Sequence, residues 1–456
     1  MEYYILRSYK LKADAFSIFT ALNKEKNCFF LDSSLSLNGC GRFSFFGIDP
    51  FLIVKTKNED PFVKLKEALA PYENKPPKNN IPFLGGAVGY LAYDLGVILE
   101  KKIKRKNAPS LDIPDSFFAF YNNTIVIDHR KNLLYIFCVG YPEKSYRKKQ
   151  LLAESNFKKI SDLICNIGSG RRNKSHRNAD PDRPVLSSNF TKSGYISAVK
   201  KAKAYIKAGD IYQVNLSQQF SAKSSLSALL LYQRLRQLSP SSFSAYFDAG
   251  SFQILSSSPE RFLKLSEDKV ITSPMKGTRP RSSDKSKDIR LRKELLESPK
   301  DKAELLMIVD LERNDLGRVC DYDSIRVREL RSLEEYRTVF QTTATVEGRL
   351  HKSKDRIDLL RACFPGGSIT GCPKIRSMEI IEELEPDRRS VYTGCLGYLS
   401  FSGGMDFNIL IRTILKKGED LYFNAGGGIV ADSLPDKEYE ETLVKAKAMM
   451  KAISAL

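Results

Sequence analysis

Lys276 lies in the run Thr272-Ser273-Pro274-Met275-Lys276-Gly277-Thr278-Arg279-Pro280-Arg281, with a proline two residues before it and a glycine directly after. Proline fixes one backbone angle and glycine permits a positive φ, so the run reads as a strand opening into a tight turn that presents the amine. Such an amine can be a nucleophile or an anion anchor. A solvated turn in a lysine-rich chain fits the decamer alone at least as well, and only the surroundings decide. Glu260, in Ser257-Ser258-Pro259-Glu260, sits at a strand-to-strand turn near enough in sequence for adjacent strands to bring it into the same pocket.

Two acidic pairs form a second constellation. Ser298-Pro299 reads as the cap and first position of a helix, which puts Asp301 and Glu304 on one face. Pro435 opens another helix, where Glu438, Glu441 and Lys445 share a face. Two carboxylates one turn apart on each helix offer the hard oxygen ligands that suit Mg²⁺; the same spacing also occurs on ordinary solvated faces. Phe364-Pro365-Gly366-Gly367-Ser368-Ile369-Thr370-Gly371-Cys372-Pro373-Lys374 is a glycine-rich turn able to aim N–H groups at an anion, and it lacks the Gly-Lys-Ser/Thr ending of a P-loop. Ala425-Gly426-Gly427-Gly428-Ile429-Val430 reads as a second glycine turn that could accept a carboxylate. Arg412, inside Ile409-Leu410-Ile411-Arg412-Thr413, is a charge in an apolar strand and requires a buried anion.

The elements that must position these groups read as mixed helix and strand. Residues 1–165 give strands at Tyr4–Ser8, Cys28–Ser33, Arg42–Ile48, Ser116–Tyr121, Thr124–Asp128 and Leu133–Val139, with a helix near Ala13–Asn23 and a hairpin expected at Asn122-Asn123. Residues 166–188 lack apolar periodicity and read as a linker or surface loop. From 189 to 456 the signals sharpen: a helix capped by Thr191 or Ser193 and closed by Gly209, then a strand with Gln213, Asn215, Ser217 and Gln219 on one face.

Composition removes several classes of function. The eight cysteines never form a C-x-x-C pair, so buried thiols are expected in place of zinc ligands or disulfides. Three histidines, His129, His176 and His351, all in loop-like or charged settings, leave proton transfer to carboxylates, lysines or tyrosines. No apolar run spans a bilayer and no signal peptide is evident, so a cytoplasmic protein is the expectation. A net charge of +19 raises the alternative of a basic nucleic-acid-binding protein without catalysis. Against it, the basic runs 101–106, 147–149 and 171–174 carry no interleaved aromatics for base stacking.

Taken in order, Asp210-Ile211-Tyr212-Gln213-Val214-Asn215-Leu216-Ser217, Ser257 to Glu260, Pro274 to Pro280, Ala303-Glu304 through Asp310-Leu311-Glu312-Arg313-Asn314-Asp315-Leu316-Gly317-Arg318, Gly366 to Lys374 and Ala425 to Gly428 resemble the chorismate-utilising family. The likeness is strong from residue 190 onward and looser before it. It implies an α+β fold, a large antiparallel β-sandwich with helices outside, to which the N-terminal region contributes. It also implies that Lys276 adds to ring carbon 2 of chorismate while Glu260 serves as general acid and later base, with Arg279 and Arg281 as cations able to lower the lysine pKa. Lysine at position 276 resembles the branch that makes aminodeoxychorismate, and Gln213, where water-adding relatives carry lysine, points to ammonia as the incoming group. Anthranilate synthesis is the alternative, which Gln341 at a position often histidine weakens.

By the same resemblance, Glu304 and Glu441 bind Mg²⁺ while Asp301 and Glu438 hold its waters. Gln213, Gly277, Thr278, Ser368, Tyr392, Arg412, Gly427, Gly428 and Lys445 contact substrate, and a separate glutaminase subunit supplies ammonia. Asp32, Ser33 and Ser34 match an N-terminal regulatory pocket in which some relatives bind tryptophan, and Asp32 in place of the usual glutamate argues against inhibition.

Overall fold

The computed structural model describes residues 2–24, 27–36, 40–73, 80–104, 111–165, 184–336 and 339–454. Most of the expected linker, residues 166–183, lies outside them, and its last residues, Ser187–Ser188, form a short strand paired with Gln213–Lys223. Two large antiparallel sheets make up the body, one of 12 strands and one of 10. Strands from both halves of the sequence interleave in each. Phe29–Asp32 pairs with Phe243–Asp248 in the larger sheet, and Gly86–Leu91 pairs with Cys395–Ser400 in the smaller. The expected α+β sandwich is the observed architecture. Among the described residues no helix is long and apolar enough to cross a membrane.

Side chains alternate across a strand, so a sheet buried on both faces needs apolar residues at successive positions. The larger sheet shows this directly. Phe29, Phe45, Phe247 and Ile254 enter the core shared with the smaller sheet, while their neighbours Phe30, Phe46, Tyr246 and Leu255 enter a second core. The helices Ala15–Leu22, Tyr146–Cys165, Ala228–Leu238 and Pro435–Ile453 cover that second core. Fully burying one such aromatic contributes about 1.5–3 kcal/mol, which fixes the register of every strand that carries one.

Three expectations are corrected by where the chain changes sheet. Asn122-Asn123 is no hairpin: Ser116–Tyr121 belongs to the smaller sheet and Asn123–Asp128 to the larger. At this buried crossing Asn122 Nδ2 donates to the Tyr141 carbonyl at 2.6 Å and Asn123 Nδ2 to the Ile48 carbonyl at 2.9 Å, satisfying backbone groups that a turn would leave to water. Arg412 is likewise outside any strand, in the link from Met405–Ile409 in the smaller sheet to Thr413–Lys417 in the larger, with φ of 50°. Gly426, Gly427 and Gly428 form no turn; they lie within the strand Asp420–Ile429, opposite Ser217, Leu216 and Asn215. Glu260 occupies a third crossing, between Gln253–Ser258 and Arg261–Ser266. Crossings deliver side chains into the space between the sheets, where the functional residues gather.

Candidate active site

Lys276 is presented by a bulged edge strand, not by a turn. Lys269–Ser273 and Met275–Pro280 both run antiparallel to Val339–Arg349, as one strand interrupted at Pro274. The register slips between Lys276 and Thr278, where Gly277 has φ of 75°. A Cβ on Gly277 would lie 2.8 Å from Leu295 Cδ1 and 3.1 Å from Asp301 Cγ, so glycine is required both for the left-handed backbone and for helix packing. The bulge re-aims Lys276, whose Nζ donates to the Ser368 carbonyl at 3.3 Å. Thr278, beyond the bulge, is exposed and accepts from Gln341 Nε2 at 3.3 Å.

Burial of the Lys276 amine is the largest influence on it and pushes its pKa below that of a free lysine, with the Lys445 ammonium acting the same way. Glu304, Glu260 and Glu441 pull in the opposite direction. The expected cations are elsewhere: Arg279 pairs with Asp301 at 2.9 Å and Arg281 with Asp288 at 2.9 Å. Desolvation rather than an arginine is therefore what lowers the amine's pKa. Glu260 is buried, which raises its pKa; the Ser368 hydroxyl, the Lys276 amine and the Met275 N–H favour its charged form. An amine and a carboxyl with opposed shifts in one pocket are suited to nucleophilic attack and proton exchange.

The acidic groups come from two helices as their spacing required. Ser298 caps Pro299–Gly317, its hydroxyl accepting from the Asp301 N–H at 3.2 Å. On this helix Glu304 is half-buried and its pKa is raised by burial, while Lys276 and Lys300 oppose the rise. On Pro435–Ile453, burial raises the pKa of Glu438, whereas Lys445, with Nζ 2.7 Å from Glu441 Oε1, lowers that of Glu441. A Cβ on Gly427 would sit 3.3 Å from Glu441 Oε1, 3.5 Å from Glu438 Oε2 and 3.6 Å from Lys445 Nζ, so the bare glycine backbone forms one wall of this cluster. Among the described residues no three acidic, histidine or cysteine groups close into a ready-made metal cage. Glu304, Glu438 and Glu441 instead offer a few hard oxygen donors on one side, the chemistry of an Mg²⁺ site that keeps waters and takes a ligand from substrate. Asp301 is the least available of the expected four, since Arg279 holds its carboxylate.

Gln213 is fully buried with neither side-chain polar atom partnered, and its Nε2 lies 2.7 Å from where a Cβ on Gly428 would be. Lys445 Nζ also donates to the Gly426 carbonyl at 2.9 Å. Arg412 carries no ion pair among the described residues, and the Tyr336 hydroxyl and Glu260 are the acidic groups acting on it. Tyr392 is buried beneath the Arg389 guanidinium, 5.8 Å from its ring centroid.

Two groups missed from sequence stand behind this shell: Arg389, which hydrogen-bonds the Ile369 and Asn215 carbonyls, and Glu312, bonded to Thr272. Asp32, Ser33 and Ser34 do not join the site. Asp32 is held by Arg236 Nε at 2.8 Å and the Tyr232 hydroxyl at 3.1 Å; Ser33 donates to the Phe43 carbonyl and Ser34 to that of Ser241. A groove of about 1100 Å³ on the opposite side of Pro299–Gly317, lined by Leu306, Tyr212 and Ile375, is separate from the lysine.

Residues 26–451 match the family of chorismate binding enzymes. The chain belongs to that family. It is 37% identical to anthranilate synthase component 1 of Aquifex aeolicus, over 96% of this chain and 91% of the relative. It is 36% identical to aminodeoxychorismate synthase component 1 of Bacillus subtilis, over 91% of this chain and 89% of the relative. Among solved structures, anthranilate synthase component I from Streptococcus pneumoniae TIGR4 superposes with a TM-score of 0.80 at 31% identity, covering 91% of this chain and 94% of that one. The protein is thus a chorismate-utilising enzyme.

Proposed function

We propose that the protein is the large subunit of an aminodeoxychorismate synthase, a cytoplasmic enzyme that converts chorismate and ammonia to 4-amino-4-deoxychorismate on the way to p-aminobenzoate and folate. One observation carries the reading: the Lys276 amine, whose pKa burial lowers, is within electrostatic reach of Glu260, Glu304 and Glu441, and its Nζ donates to the Ser368 carbonyl at 3.3 Å. In this reading Lys276 Nζ bonds to ring carbon 2, both ring double bonds shift by one position, and the carbon 4–oxygen bond breaks as Glu260 protonates the departing hydroxyl, releasing water. Ammonia then bonds to carbon 4, both double bonds shift back, the carbon 2–nitrogen bond breaks to free the lysine, and Glu260 takes a proton from the incoming nitrogen.

Arg412, which has no ion pair among the described residues, together with Lys445, Ser368, Tyr392 and the N–H groups near Gly427 and Gly428, would hold the two substrate carboxylates. Gly277 and Thr278 would line the ring, and Gln213, lacking a protein partner for its amide, would bond substrate. Glu304 and Glu441, with Glu438 and Asp301 toward its waters, would hold Mg²⁺, which when bound masks the negative charge of the ring carboxylate. A separate glutaminase subunit would deliver the ammonia.

The relatives support a second reading, anthranilate synthesis, at the same level of identity. Gln341 in place of an imidazole disfavours it. The two are separated by product. With chorismate, Mg²⁺ and an ammonium salt, mass spectrometry is expected to find aminodeoxychorismate, without the fluorescence of anthranilate. Anthranilate as the main product would transfer the assignment to the second reading, and no consumption of chorismate would remove both.

A further inference from the structure

Beneath Glu260 the fold buries a second carboxyl that the chemistry above leaves unused. Glu312, on the inner face of Pro299–Gly317, is 6% exposed, and Thr272 Oγ1 donates to its Oε2 at 2.5 Å. Four other titratable groups face it: Asp315 one turn along the helix, Lys374 at the start of Lys374–Leu384, the Cys363 thiol at the end of Arg356–Cys363, and Glu260. The Lys374 ammonium is already committed, to Asp315 Oδ2 at 2.5 Å and the Cys363 carbonyl at 3.2 Å. Asp315 Oδ1 in turn takes Arg318 at 2.8 Å. Glu312 therefore has one hydroxyl donor and, among the described residues, no ion pair of its own. Glu260 is better served, by the Ser368 hydroxyl, the Met275 N–H and the Lys445 ammonium.

Where two buried carboxyls oppose each other, the better-solvated one ionises and the other keeps its proton. Burial and the negative charges of Asp315 and Glu260 push Glu312 up to about 8. Its anchor matters too, because Thr272 lies three residues before Met275, whose N–H serves Glu260. We propose that Glu312 is a positioning residue for Glu260: tied to Thr272, it remains a neutral carboxylic acid during turnover and leaves Glu260 as the carboxyl that exchanges protons with substrate. The inference rests on the reading of Lys276 and Glu260 as the reacting pair. Once Glu312 ionises, a second negative charge below Glu260 tightens the proton that Glu260 must release.

The test is the pH profile of kcat/KM for chorismate at saturating free ammonia. The parent chain is expected to lose activity as pH rises through about 8. In Glu312→Gln, whose amide cannot ionise, that alkaline limb moves up by at least about one pH unit, while kcat at pH 7 falls less than about tenfold. Thr272→Val removes the hydroxyl that favours the charged form, so its limb also moves up, by less. A purely structural role would change kcat without moving the limb.

Melting temperature gives a readout independent of substrate. A carboxyl whose folded-state pKa is raised contributes stability in full below the unfolded value, roughly 4.3, and loses it as pH climbs through the folded one. The parent chain's advantage at low pH should thus disappear by about pH 8, and Glu312→Gln should lack that decline. An unmoved limb in both folded variants overturns the proposal, as does a loss beyond about 100-fold at pH 7 in folded Glu312→Gln, which would mean the charge itself is needed. If Glu312→Gln does not fold, Thr272→Val decides alone. Absence of any chorismate turnover in the parent chain would instead defeat the catalytic reading, and the melting comparison would still settle the protonation of Glu312.

Discussion

Lys276→Ala is expected to lower kcat for chorismate amination by at least about 10³-fold, with ammonia supplied directly and the fold intact. The magnitude follows from what the amine does. If it forms a bond to the ring, no neighbour replaces it: Lys445 is held by Glu441 and the Gly426 carbonyl, and Lys300 lies toward Glu304. Stability should change little, because the side chain's hydrogen bond to the Ser368 carbonyl is long, at 3.3 Å, and keeping a lysine buried is itself unfavourable. Intact-protein mass spectrometry should also detect a lysine adduct with chorismate when ammonia is withheld from the parent chain, and none in the variant. Lys276→Ala retaining more than about a tenth of the parent kcat would remove covalent catalysis from the scheme, leaving the amine as an anion anchor that affects KM.

What the sequence revealed and what it concealed divide along the range of the interactions. Helix starts were legible because their chemistry is local: Ser298 caps and Pro299 follows, Thr191 accepts from the Gly194 N–H, and Gly209 closes its helix with φ of 82°. Those starts fix which faces of their helices carry Glu304, Glu438 and Glu441. Glycine and asparagine runs misled, since the same residues serve turns, bulges and crossings. Gly426, Gly427 and Gly428 lie in a strand paired with Asn215–Ser217, and at Gly426 and Gly428 the Leu216 carbonyl and the Gln213 amide approach the backbone too closely for a Cβ. Asn122-Asn123 crosses between sheets because its amides replace lost ladder bonds. The decamer around Lys276 was right in its residues and wrong in its geometry. Whether Pro274 turns the chain or merely interrupts a strand depends on Val339–Arg349, more than sixty residues away. Arg279 and Arg281 were misassigned for a related reason, as their partners Asp301 and Asp288 come from helices whose docking no local pattern reports.

Arg389 is the extreme case of a long-range group, and Arg389→Ala is expected to destabilise the protein by about 3–5 kcal/mol, a fall in melting temperature of about 3–5 °C for a chain of 456 residues. Its guanidinium is 2% exposed. Nε and Nη2 form a fork onto Glu385 at 2.9 and 2.7 Å, Nη1 donates to the Ile369 carbonyl at 2.9 Å, and Nη2 also donates to the Asn215 carbonyl at 2.7 Å. Tyr93 and Tyr392 lie against its faces, with centroids 4.7 and 5.8 Å away. One side chain thus ties the Gln213–Lys223 strand, the loop carrying Ser368 and the Tyr392 segment into a single block.

Alanine would take the guanidinium fork away from Glu385, which also accepts from the Ser217 N–H and hydroxyl of that strand at 2.7 and 2.9 Å, and so weaken the compensation of a buried charge. Lysine should rescue only part of the loss, since an ammonium cannot make the planar fork or stack between two tyrosines. The double replacement Arg389→Met with Glu385→Leu should recover stability relative to Arg389→Met alone, because the buried carboxylate that lost its guanidinium is then gone. It should not recover chorismate turnover, since the Ile369 carbonyl next to Ser368 has lost its tether. A melting temperature within about 2 °C of the parent for Arg389→Ala would show that water or a neighbouring group reaches Glu385, and the block would then have to be held by packing alone.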